Sequence, residues 1–506
     1  MTSGSPRIPV IDVFAGPGGL SEGFWRTGRF DIRLSIEKDV HAYQTLKLRA
    51  FVHQFHYLRA PDDYYRLLTG EITTGDLYKL HPDAARAAEA EAWLAELGSA
   101  SCADEGVDQR IVQALKGSHD GSWILIGGPP CQAYSLVGRS RRRNDPNFEK
   151  DPRHVLYRQY LRIIACHRPT VFVMENVTGI LTSRLEGSRI FPRIVADLKD
   201  PGQALGIAGS AQYQLFSLRN GALSDDAESP WNFVLNAEDY GIPQARHRVI
   251  LIGVRADVRT EPTRLRTATA RATVADVLQD LPKLRSKLSK EEDSSQKWIG
   301  CLQAMAQEAW FKQLSDSQLH DRLCKNIRSL DSTLPTQGGS LCGNRPSPRL
   351  SKWILDNRVQ DPPNHEVRGH MRTDLWRYLY AATFAAKYGR SPTIEDFPRS
   401  LWPHHANLVS ATKHPIFGDR FRVQILEKPS KTIMAHISKD GHYYIHPDPL
   451  QCRSLTVREA ARLQTFPDNY LFCGPRTEQY HQVGNAVPPL LAYQIALAVS
   501  HVFKSD

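Results

Sequence analysis

The sequence predicts an α/β fold in which a parallel, doubly wound sheet is joined to a second, irregular domain. Short runs rich in β-branched residues recur through the first half of the chain, helix-like stretches separate them, and the alternation stops near residue 256. Strands that alternate with helices are typical of parallel sheets with helices on both faces. The chain has 506 residues, more than one hydrophobic core usually serves, so we expect two domains.

The first predicted strand leads into a glycine turn. Residues 8–28, IPVIDVFAGPGGLSEGFWRTG, are typical of a strand, a turn and a helix in succession. Such a turn directs backbone N–H groups at a helix start towards a ligand. Pro17 in its middle departs from the G-x-G-x-x-G pattern of dinucleotide-binding proteins. The turn indicates either a nucleotide-like ligand or a purely structural tight turn.

The second predicted strand, residues 32–37, ends in an acid, Glu37. A carboxylate at this position can bind the two hydroxyl groups of a ribose. Together with the glycine turn, Glu37 favours an adenosine-containing ligand. Three further strands are predicted at 123–128, 170–177 and 247–254, and a helix at 155–167.

Other segments depart from this alternation. An insertion at about 54–120 contains an Ala- and Glu-rich stretch, residues 84–97, that predicts a helix. Residues 256–445 are rich in Arg and Lys and lack the alternation, which indicates a second domain. Helical patterns return in the segment 446–506, where Thr456 and Glu459 have the spacing of an N-terminal capping box.

A single cysteine follows the third predicted strand in the stretch GGPPCQAYS, residues 127–135. Cys131 is therefore a disulfide partner, a metal ligand, a packed core residue or a nucleophile. The eight cysteines are scattered without a C-x-x-C pair, so we expect no metal ion. A reducing compartment disfavours a disulfide. The prolines and the polar Gln132 and Ser135 are a poor core sequence, which favours a reactive thiol.

A carboxylate and two arginines accompany this cysteine at predicted strand ends. Glu175 lies near the end of the strand at 170–177, so it reaches the same sheet edge as Cys131, as covalent catalysis with acid assistance requires. Arg246 and Arg248 alternate with His247 and would point to one face of an extended chain. The alternatives are a solvated strand end for Glu175 and a surface ion pair for the arginines.

The charge of the chain suits a polyanionic partner. Its net charge is +10 and its pI is about 9.1, although a basic protein without such a partner would have the same composition. The run 139–143, with Arg139 and Arg141, is either a phosphate grip or a solvated surface. The chain has no apolar run of about 18 residues and no secretory signal pattern, so we expect a cytoplasmic protein without a membrane span.

These stretches, in this order, resemble the DNA (cytosine-5) methyltransferases. The matching motifs are DVFAGPGG (12–19), GGPPCQAYS (127–135), ENV (175–177), QARHR (244–248), LTVREAARLQTFPD (455–468) and GNAVPP (484–489). The resemblance implies a Rossmann-like S-adenosylmethionine-dependent methyltransferase fold with a catalytic and cofactor-binding domain at 1–255. It also implies a target-recognition domain at 256–445 and a segment, 446–506, that completes the catalytic domain.

The resemblance further implies a covalent mechanism on a flipped-out cytosine. Cys131 would attack C6 of the base, and Glu175 would bind its N3 and amino edge. Arg248, with Arg246, would hold the cytosine O2 and the loop that carries Cys131. The substrate-binding residues implied by the same motifs are Gln132, Ser135, Asn176, Arg139 and Arg141.

The implied methyl donor is S-adenosyl-L-methionine. The first loop would bind it through Phe14, Gly16, Pro17 and Gly19, and Glu37 would bind its ribose. Pro130 would lie against its methionine portion. The residues that would complete the pocket are Asn485 and Val487 from the C-terminal motif and Asp76 as the acid that binds the adenine amine.

The resemblance favours double-stranded DNA as substrate, in a restriction–modification system whose endonuclease acts separately, and a monomeric enzyme. A transfer-RNA cytosine-5 methyltransferase is the nearest alternative, but its middle region would be shorter. A nicotinamide- or flavin-dependent oxidoreductase would have no use for the motifs at 127–135 and 244–248. A catalytically inactive DNA-binding protein would be expected to lose Cys131 or Glu175, and both are present.

Overall fold

The computed structural model describes residues 7–55, 59–117, 122–130, 153–185, 188–219, 221–222, 229–341, 348–403 and 419–503. The chain forms two compact units. The first unit comprises Met1–Ala270, Phe472–Gly474 and Ala486–Asp506. The second comprises Arg271–Leu471 and Pro475–Asn485.

Helices and strands alternate through the first unit, and helices predominate in the second. In chain order the α-helices are α1 Gly19–Arg26, α2 Val40–His53, α3 Asp62–Leu68, α4 Thr74–Leu80, α5 Pro82–Glu91, α6 Asp104–Ala114, α7 Arg153–His167, α8 Ile190–Lys199, α9 Pro201–Leu205, α10 Ala275–Leu278, α11 Ser295–Ala304, α12 Ala309–Lys312, α13 Ser317–Arg328, α14 Pro348–Ile354, α15 Arg372–Tyr388, α16 Val457–Leu463, α17 Arg476–Asn485 and α18 Pro489–Val499. The strands are β1 Ile8–Val13, β2 Phe30–Glu37, β3 Ala92–Leu94, β4 Ile124–Gly127, β5 Val171–Val177, β6 Arg184–Leu185, β7 Ser188–Arg189, β8 Tyr213–Ser217, β9 Gly221–Ala222, β10 Val234–Asn236, β11 Gln244–Ala245, β12 His247–Arg255, β13 Lys287–Leu288, β14 Gly369–His370 and β15 Ser430–Lys431.

The first unit is built around one large sheet. Within the described residues, the strand order is β3-β2-β1-β4-β5-β12-β8-β9, with β10 paired to β12. Strands β3, β2, β1, β4 and β5 are parallel. The chain moves outward in one direction from β1 and in the other from β4, so the order reverses between these two strands. Open α/β sheets bind ligands in the crevice beyond the strand ends at such a point. The predicted α/β fold is confirmed.

Strand β12 departs from the parallel arrangement. It pairs antiparallel with β5, with Ile250 opposite Glu175 and Arg248 opposite Val177. Its amino end therefore lies at the edge where the parallel strands have their carboxyl ends. This orientation brings the start of β12, rather than its end, to the predicted site.

The insertion contributes a strand as well as helices. The predicted helix at 84–97 ends at Glu91, and residues 92–94 form β3, so the prediction of a helix was wrong there. The pairs Ser35–Ala92, Ile36–Trp93 and Glu37–Leu94 join β3 to β2. Pairing with an open sheet edge outweighs the helical propensity of this short stretch.

The last helix packs against the first helix. Helix α18 packs on α1, where a methyl group added to Gly23 would come within 2.4 Å of the Ala492 Cβ. By length and composition the stretch Arg476–Phe503 is apolar enough to cross a membrane, but 72% of its most apolar window is buried. Such burial is typical of the core helix of a globular protein.

The second unit has its own hydrophobic core, which includes Trp298 and Tyr378. At the start of α16 the Thr456 hydroxyl accepts a hydrogen bond from the Glu459 N–H, and the Glu459 carboxylate accepts one from the Thr456 N–H. The predicted capping box is thus confirmed. The unit begins at residue 271 and includes residues 446–471, so its limits differ from the predicted boundaries at 256 and 445. The division into catalytic and target-recognition domains stays a prediction.

Candidate active site

The candidate site lies beyond the strand ends where the order of the sheet reverses. Strand β1 ends before Phe14, β2 ends with Glu37, β4 leads into Gly128, and β5 carries Glu175 near its end. Because these strands are parallel, their carboxyl ends share one edge. The antiparallel β12 adds Arg248 to the same edge. The sheet thus brings together residues from Phe14 to Arg248, which are more than 200 positions apart in sequence.

The glycine loop after β1 holds the acid of β2. The Gly16 N–H donates to Glu37 Oε2 at 2.8 Å, and the N–H groups of Lys38 and Asp39 donate to Oε1 at 2.9 and 2.8 Å. Phe14 and Gly16 have φ values of +59° and +58°, so the loop turns in the left-handed region. Three backbone donors therefore fix the carboxylate beside the loop.

The C-terminal segment passes directly behind this loop. A methyl group added to Gly19 would lie 2.3 Å from the Val487 carbonyl oxygen. Only a residue without a side chain allows this approach, which explains the glycine. Pro17 is buried in the loop. Asn485, the exposed last residue of α17, belongs to the second compact unit.

The buried carboxyl group of Asp12 stabilises the glycine loop after β1. Asp12, near the end of β1, accepts a hydrogen bond from the Ser21 hydroxyl in the first turn of α1, while its Oδ1 is buried without a hydrogen-bond partner among the described residues. Burial raises the pKa of Asp12 to about 7, the Ser21 hydrogen bond opposes this shift, and the Glu37 charge adds to it. The Asp12–Ser21 hydrogen bond joins the end of β1 to the start of α1 and so links the two ends of the loop at 14–18.

The exit from β4 is fastened to β5. The Asn176 side-chain amide donates to the Pro129 carbonyl at 3.1 Å, and its oxygen accepts from the Val177 N–H at 2.9 Å. A methyl group on Gly128 would lie 2.9 Å from Glu175 Oε2, so the backbone of the exit runs against this carboxylate. Pro130 is half-buried at the end of the described segment. The structure therefore fixes the chain immediately before Cys131.

The catalytic loop itself lies outside the described residues. This applies to Cys131, Gln132, Ser135, Arg139 and Arg141. Their predicted roles stay predictions. What the structure supplies is the fixed backbone that leads into them.

Glu175 forms an ion pair with Arg248. Arg248 Nε lies 2.8 Å from Glu175 Oε1, and each side chain is 13% exposed. Burial lowers the pKa of the Arg248 guanidinium, and the Glu175 charge opposes this shift. The pair holds the carboxylate in place while leaving part of it accessible from the sheet edge.

The two arginines of QARHR have different surroundings. Arg246 lies between β11 and β12, where the strand is interrupted, and its residue is only 1% exposed. The break at Arg246 ends the regular alternation from which a shared face was predicted. Arg248 contacts Glu175, whereas the side chain of Arg246 is packed in the interior.

Asp76, the predicted adenine-binding acid, lies on α4, whereas Glu96 is an acid that follows β3 and was not among the predicted residues. Asp76 caps α4: its carboxylate accepts hydrogen bonds from the Thr73 N–H and hydroxyl at 3.1 and 2.6 Å. Glu96 instead follows β3, two residues beyond Leu94, and pairs with Lys38 at 2.9 Å. The short strand was hidden within a helical pattern, so only strand pairing reveals this position.

The residues at this edge fit an adenosine-containing cofactor. Glu37 retains free lone pairs that can accept hydrogen bonds from ribose hydroxyl groups. A methyl group on Gly16 would meet no atom of the described residues within 4 Å, so this part of the loop leaves room for a ligand. Two exposed apolar side chains lie near Glu37: Val40 follows it by three residues in sequence, and Leu94 lies opposite it on β3. An adenosine-containing ligand requires an acid for its ribose, accessible backbone N–H groups and an apolar surface for its ring, and this edge offers all three.

A comparison with protein families matches residues 105–501 to the C-5 cytosine-specific DNA methylases. The chain is 34% identical to the type II methyltransferase M.Bpa9945I of Bacillus paralicheniformis, over 98% of this chain and 99% of the relative. It is 26% identical to the DNA (cytosine-5-)-methyltransferase M.ApeKI of Aeropyrum pernix, over 99% of both chains.

A solved structure has a similar fold. It is the crystal structure of a candidate DNA modification methyltransferase encoded within a prophage, from E. coli. The TM-score is 0.52 at 19% identity, and the match covers 98% of this chain and 100% of the other.

Proposed function

The chain belongs to the C-5 cytosine-specific DNA methylases and is a DNA (cytosine-5-)-methyltransferase, and we propose that it works through a covalent adduct between Cys131 and a flipped-out cytosine. The observation that carries this proposal is the fixed backbone before Cys131. Asn176 holds Pro129 at 3.1 Å, and Glu175 lies against the same segment. The Cys131 thiol, two residues beyond Pro129, then starts from the same sheet edge as the Glu175 carboxylate.

The covalent step makes the 5-carbon of cytosine nucleophilic. The Cys131 thiolate adds to C6, and the C5–C6 π electrons become available at C5. S-adenosyl-L-methionine, when bound, supplies a methyl group activated by its sulfonium. C5 would form a bond to that methyl group as the bond between the methyl group and the sulfonium sulfur breaks, which leaves a neutral thioether. Transfer of the C5 proton to a base, such as water, would then re-form the C5–C6 double bond and break the bond between C6 and the Cys131 sulfur, which releases the thiolate. Glu175 stabilises the adduct through the N3 and amino edge of the base.

Arg248 keeps Glu175 in position for this role. Its guanidinium is held at 2.8 Å from the carboxylate, so the carboxylate does not need to reorganise when the base enters. Arg248 also offers further N–H donors for the cytosine O2. Arg246 supports the same strand from within the core, where it is 1% exposed.

The methyl donor would be held by the loop after β1 and by the acids at the neighbouring strand ends. Glu37 would bind its ribose, and Glu96, rather than Asp76, is our candidate for the adenine amine because it follows β3. The other residues assigned to this pocket are Phe14, Gly16, Pro17, Gly19, Pro130, Asn485 and Val487.

The substrate is a specific sequence in double-stranded DNA, and the target base must leave the duplex because its ring faces are stacked inside it. The residues assigned to DNA contact are Gln132, Ser135, Asn176, Arg139 and Arg141. We assign sequence recognition to the second domain and place the enzyme in the cytoplasm, as a monomer that protects DNA from a separate endonuclease. The family and the relative from Aeropyrum pernix are named for DNA, so transfer RNA is not favoured.

Incubation with tritiated S-adenosylmethionine tests the substrate. The proposal predicts that label enters C5 of cytosine in duplex DNA and is absent from transfer RNA added under the same conditions. Label confined to RNA would contradict it. Digestion to nucleosides, with 5-methylcytosine as the standard, identifies the methylated atom.

A further inference from the structure

Four ionisable side chains are buried together in the first compact unit, and none of them belongs to the proposed catalytic or cofactor residues. They are Glu22 on α1, Arg49 and His53 on α2, and Glu91 at the end of α5, and we call them the buried ionic cluster. The side chains of Glu22 and Arg49 are 0% and 3% exposed, and those of His53 and Glu91 are 4% and 6% exposed. Charges so hidden from water require one another.

His53 lies between carboxylates on two different helices. Arg49 binds both oxygens of Glu22 through Nε and Nη2, each at 2.7 Å. On the other side His53 Nδ1 lies 2.7 Å from Glu91 Oε1. His53 Nε2 is 3.8 Å from Glu22 Oε2. The imidazole thus connects α5 to α1 through α2.

The charges of the cluster balance when His53 is protonated. Arg49 neutralises one carboxylate, and an imidazolium neutralises the other. Burial alone would lower the pKa of His53, but Glu91 and Glu22 outweigh burial and raise this pKa above its ordinary value. The Trp25 ring covers the imidazole at 4.8 Å. Within the part of the chain that the structure describes, the other titratable or charged groups that act on the cluster are Arg26 on α1, Tyr64 on α3 and Asp31 on β2.

The cluster connects the two chain segments that form the candidate cofactor site. Glu22 lies three residues beyond Gly19, at the end of the glycine loop. Glu91 immediately precedes β3, and β3 pairs with the end of β2 so that Leu94 is opposite Glu37. Moving α5 away from α1 would therefore move β3 and the edge that carries Glu37.

We propose that His53, held between Glu22 and Glu91, is a positioning residue that sets the distance between the glycine loop and the Glu37 edge. This inference rests on the proposed binding of S-adenosylmethionine. It gives the insertion at 54–120 a role, because α5 and β3 belong to that insertion. Loss of the positive charge on His53 leaves Glu91 unbalanced and loosens the cofactor site.

Calorimetric titration with S-adenosylmethionine tests the inference. At pH 7 we expect H53Q to raise the calorimetric Kd for S-adenosylmethionine on the order of tenfold. In steady-state methylation assays its KM for S-adenosylmethionine should rise by the same factor, while kcat stays within about threefold of the wild type. The double variant H53Q/E91Q removes both charges and should restore the Kd to within about threefold of the wild type. His167 forms a similar pair with Asp108 at 2.7 Å, and H167Q, as the matched control, should leave the Kd unchanged.

A pH series separates positioning from a general loss of structure, and it remains informative if H53Q alone does not fold. The wild-type Kd should rise from pH 6 to pH 9 as His53 loses its proton, and that of H53Q/E91Q should rise less. The ligand's own amino group titrates equally in both proteins. Parallel curves, or a failure of the double variant to restore binding, would overturn this inference alone. A wild type that binds no S-adenosylmethionine would contradict the proposed function instead.

Discussion

The Asn176→Asp substitution changes one atom at the point where the structure fixes the chain before Cys131. The variant keeps the oxygen that accepts from the Val177 N–H at 2.9 Å but loses the donor that binds the Pro129 carbonyl at 3.1 Å. Pro129 is buried, and a buried carbonyl without its donor costs about 1–3 kcal/mol. At about 1.4 kcal/mol per factor of ten, this corresponds to about a 5- to 150-fold change.

We expect this cost to appear in the chemical step, because the displaced segment carries Cys131. The measurement is the single-turnover rate of methyl transfer at saturating DNA and S-adenosylmethionine, which should fall by about 5- to 150-fold. Asn326→Asp is the control, since Asn326 donates to the Thr383 hydroxyl at 2.9 Å and a hydroxyl can turn to donate to a carboxylate. An Asn176→Asp rate within twofold of the wild type would refute the reasoning.

Three further substitutions test other parts of the site. Gly19→Ala places a methyl group 2.3 Å from a backbone carbonyl, an overpacking worth about 1–3 kcal/mol, and should weaken S-adenosylmethionine binding by calorimetry about 5- to 150-fold. Gly106→Ala is the control, because a methyl group there would meet no described atom within 4 Å, and this variant should bind S-adenosylmethionine as the wild type does. Arg248→Met leaves the carboxylate of Glu175 unpaired, which costs about 3 kcal/mol at this partly exposed site, so kcat/KM should fall about 10²-fold; a value within threefold would contradict the role of the ion pair. The pKa of Asp12 rises to about 7 on folding. The protonated carboxyl group therefore stabilises the fold below the unfolded pKa of about 4, and this stabilisation is lost as the pH rises through 7. The Tm of Asp12→Asn minus that of the wild type should increase from pH 5 to pH 8, and a constant difference would contradict this reasoning.

The sequence allowed the fold to be predicted because the chemistry-bearing residues follow clear strand patterns. Glu37 ends one β-branched run and Glu175 lies near the end of another, and strands are found at both places. The parallel core of the sheet follows from the alternation of strands and helices. The capping box at Thr456 was also visible, since its spacing is local.

Features that depend on pairing between distant segments were not predictable. The direction of β12 is set by its partner β5, and it determines that Arg248 reaches Glu175. Strand β3 has only three residues within a helical pattern, so the position of Glu96 was hidden. The link between Asn176 and Pro129 joins residues 47 positions apart, and no periodicity marks such a contact.

Covalent trapping tests the central proposal most directly. Duplex DNA with 5-fluorocytosine at the target position has no C5 proton to lose, so methylation should stop with the base attached to Cys131. In the presence of tritiated S-adenosylmethionine, the wild type should form a protein–DNA complex that survives denaturing electrophoresis. After proteolysis, the tritium should be found on the peptide that contains Cys131. Cys131→Ser should form none. A complex that persists in Cys131→Ser, or a wild type that methylates normal DNA yet traps nothing, would contradict the account.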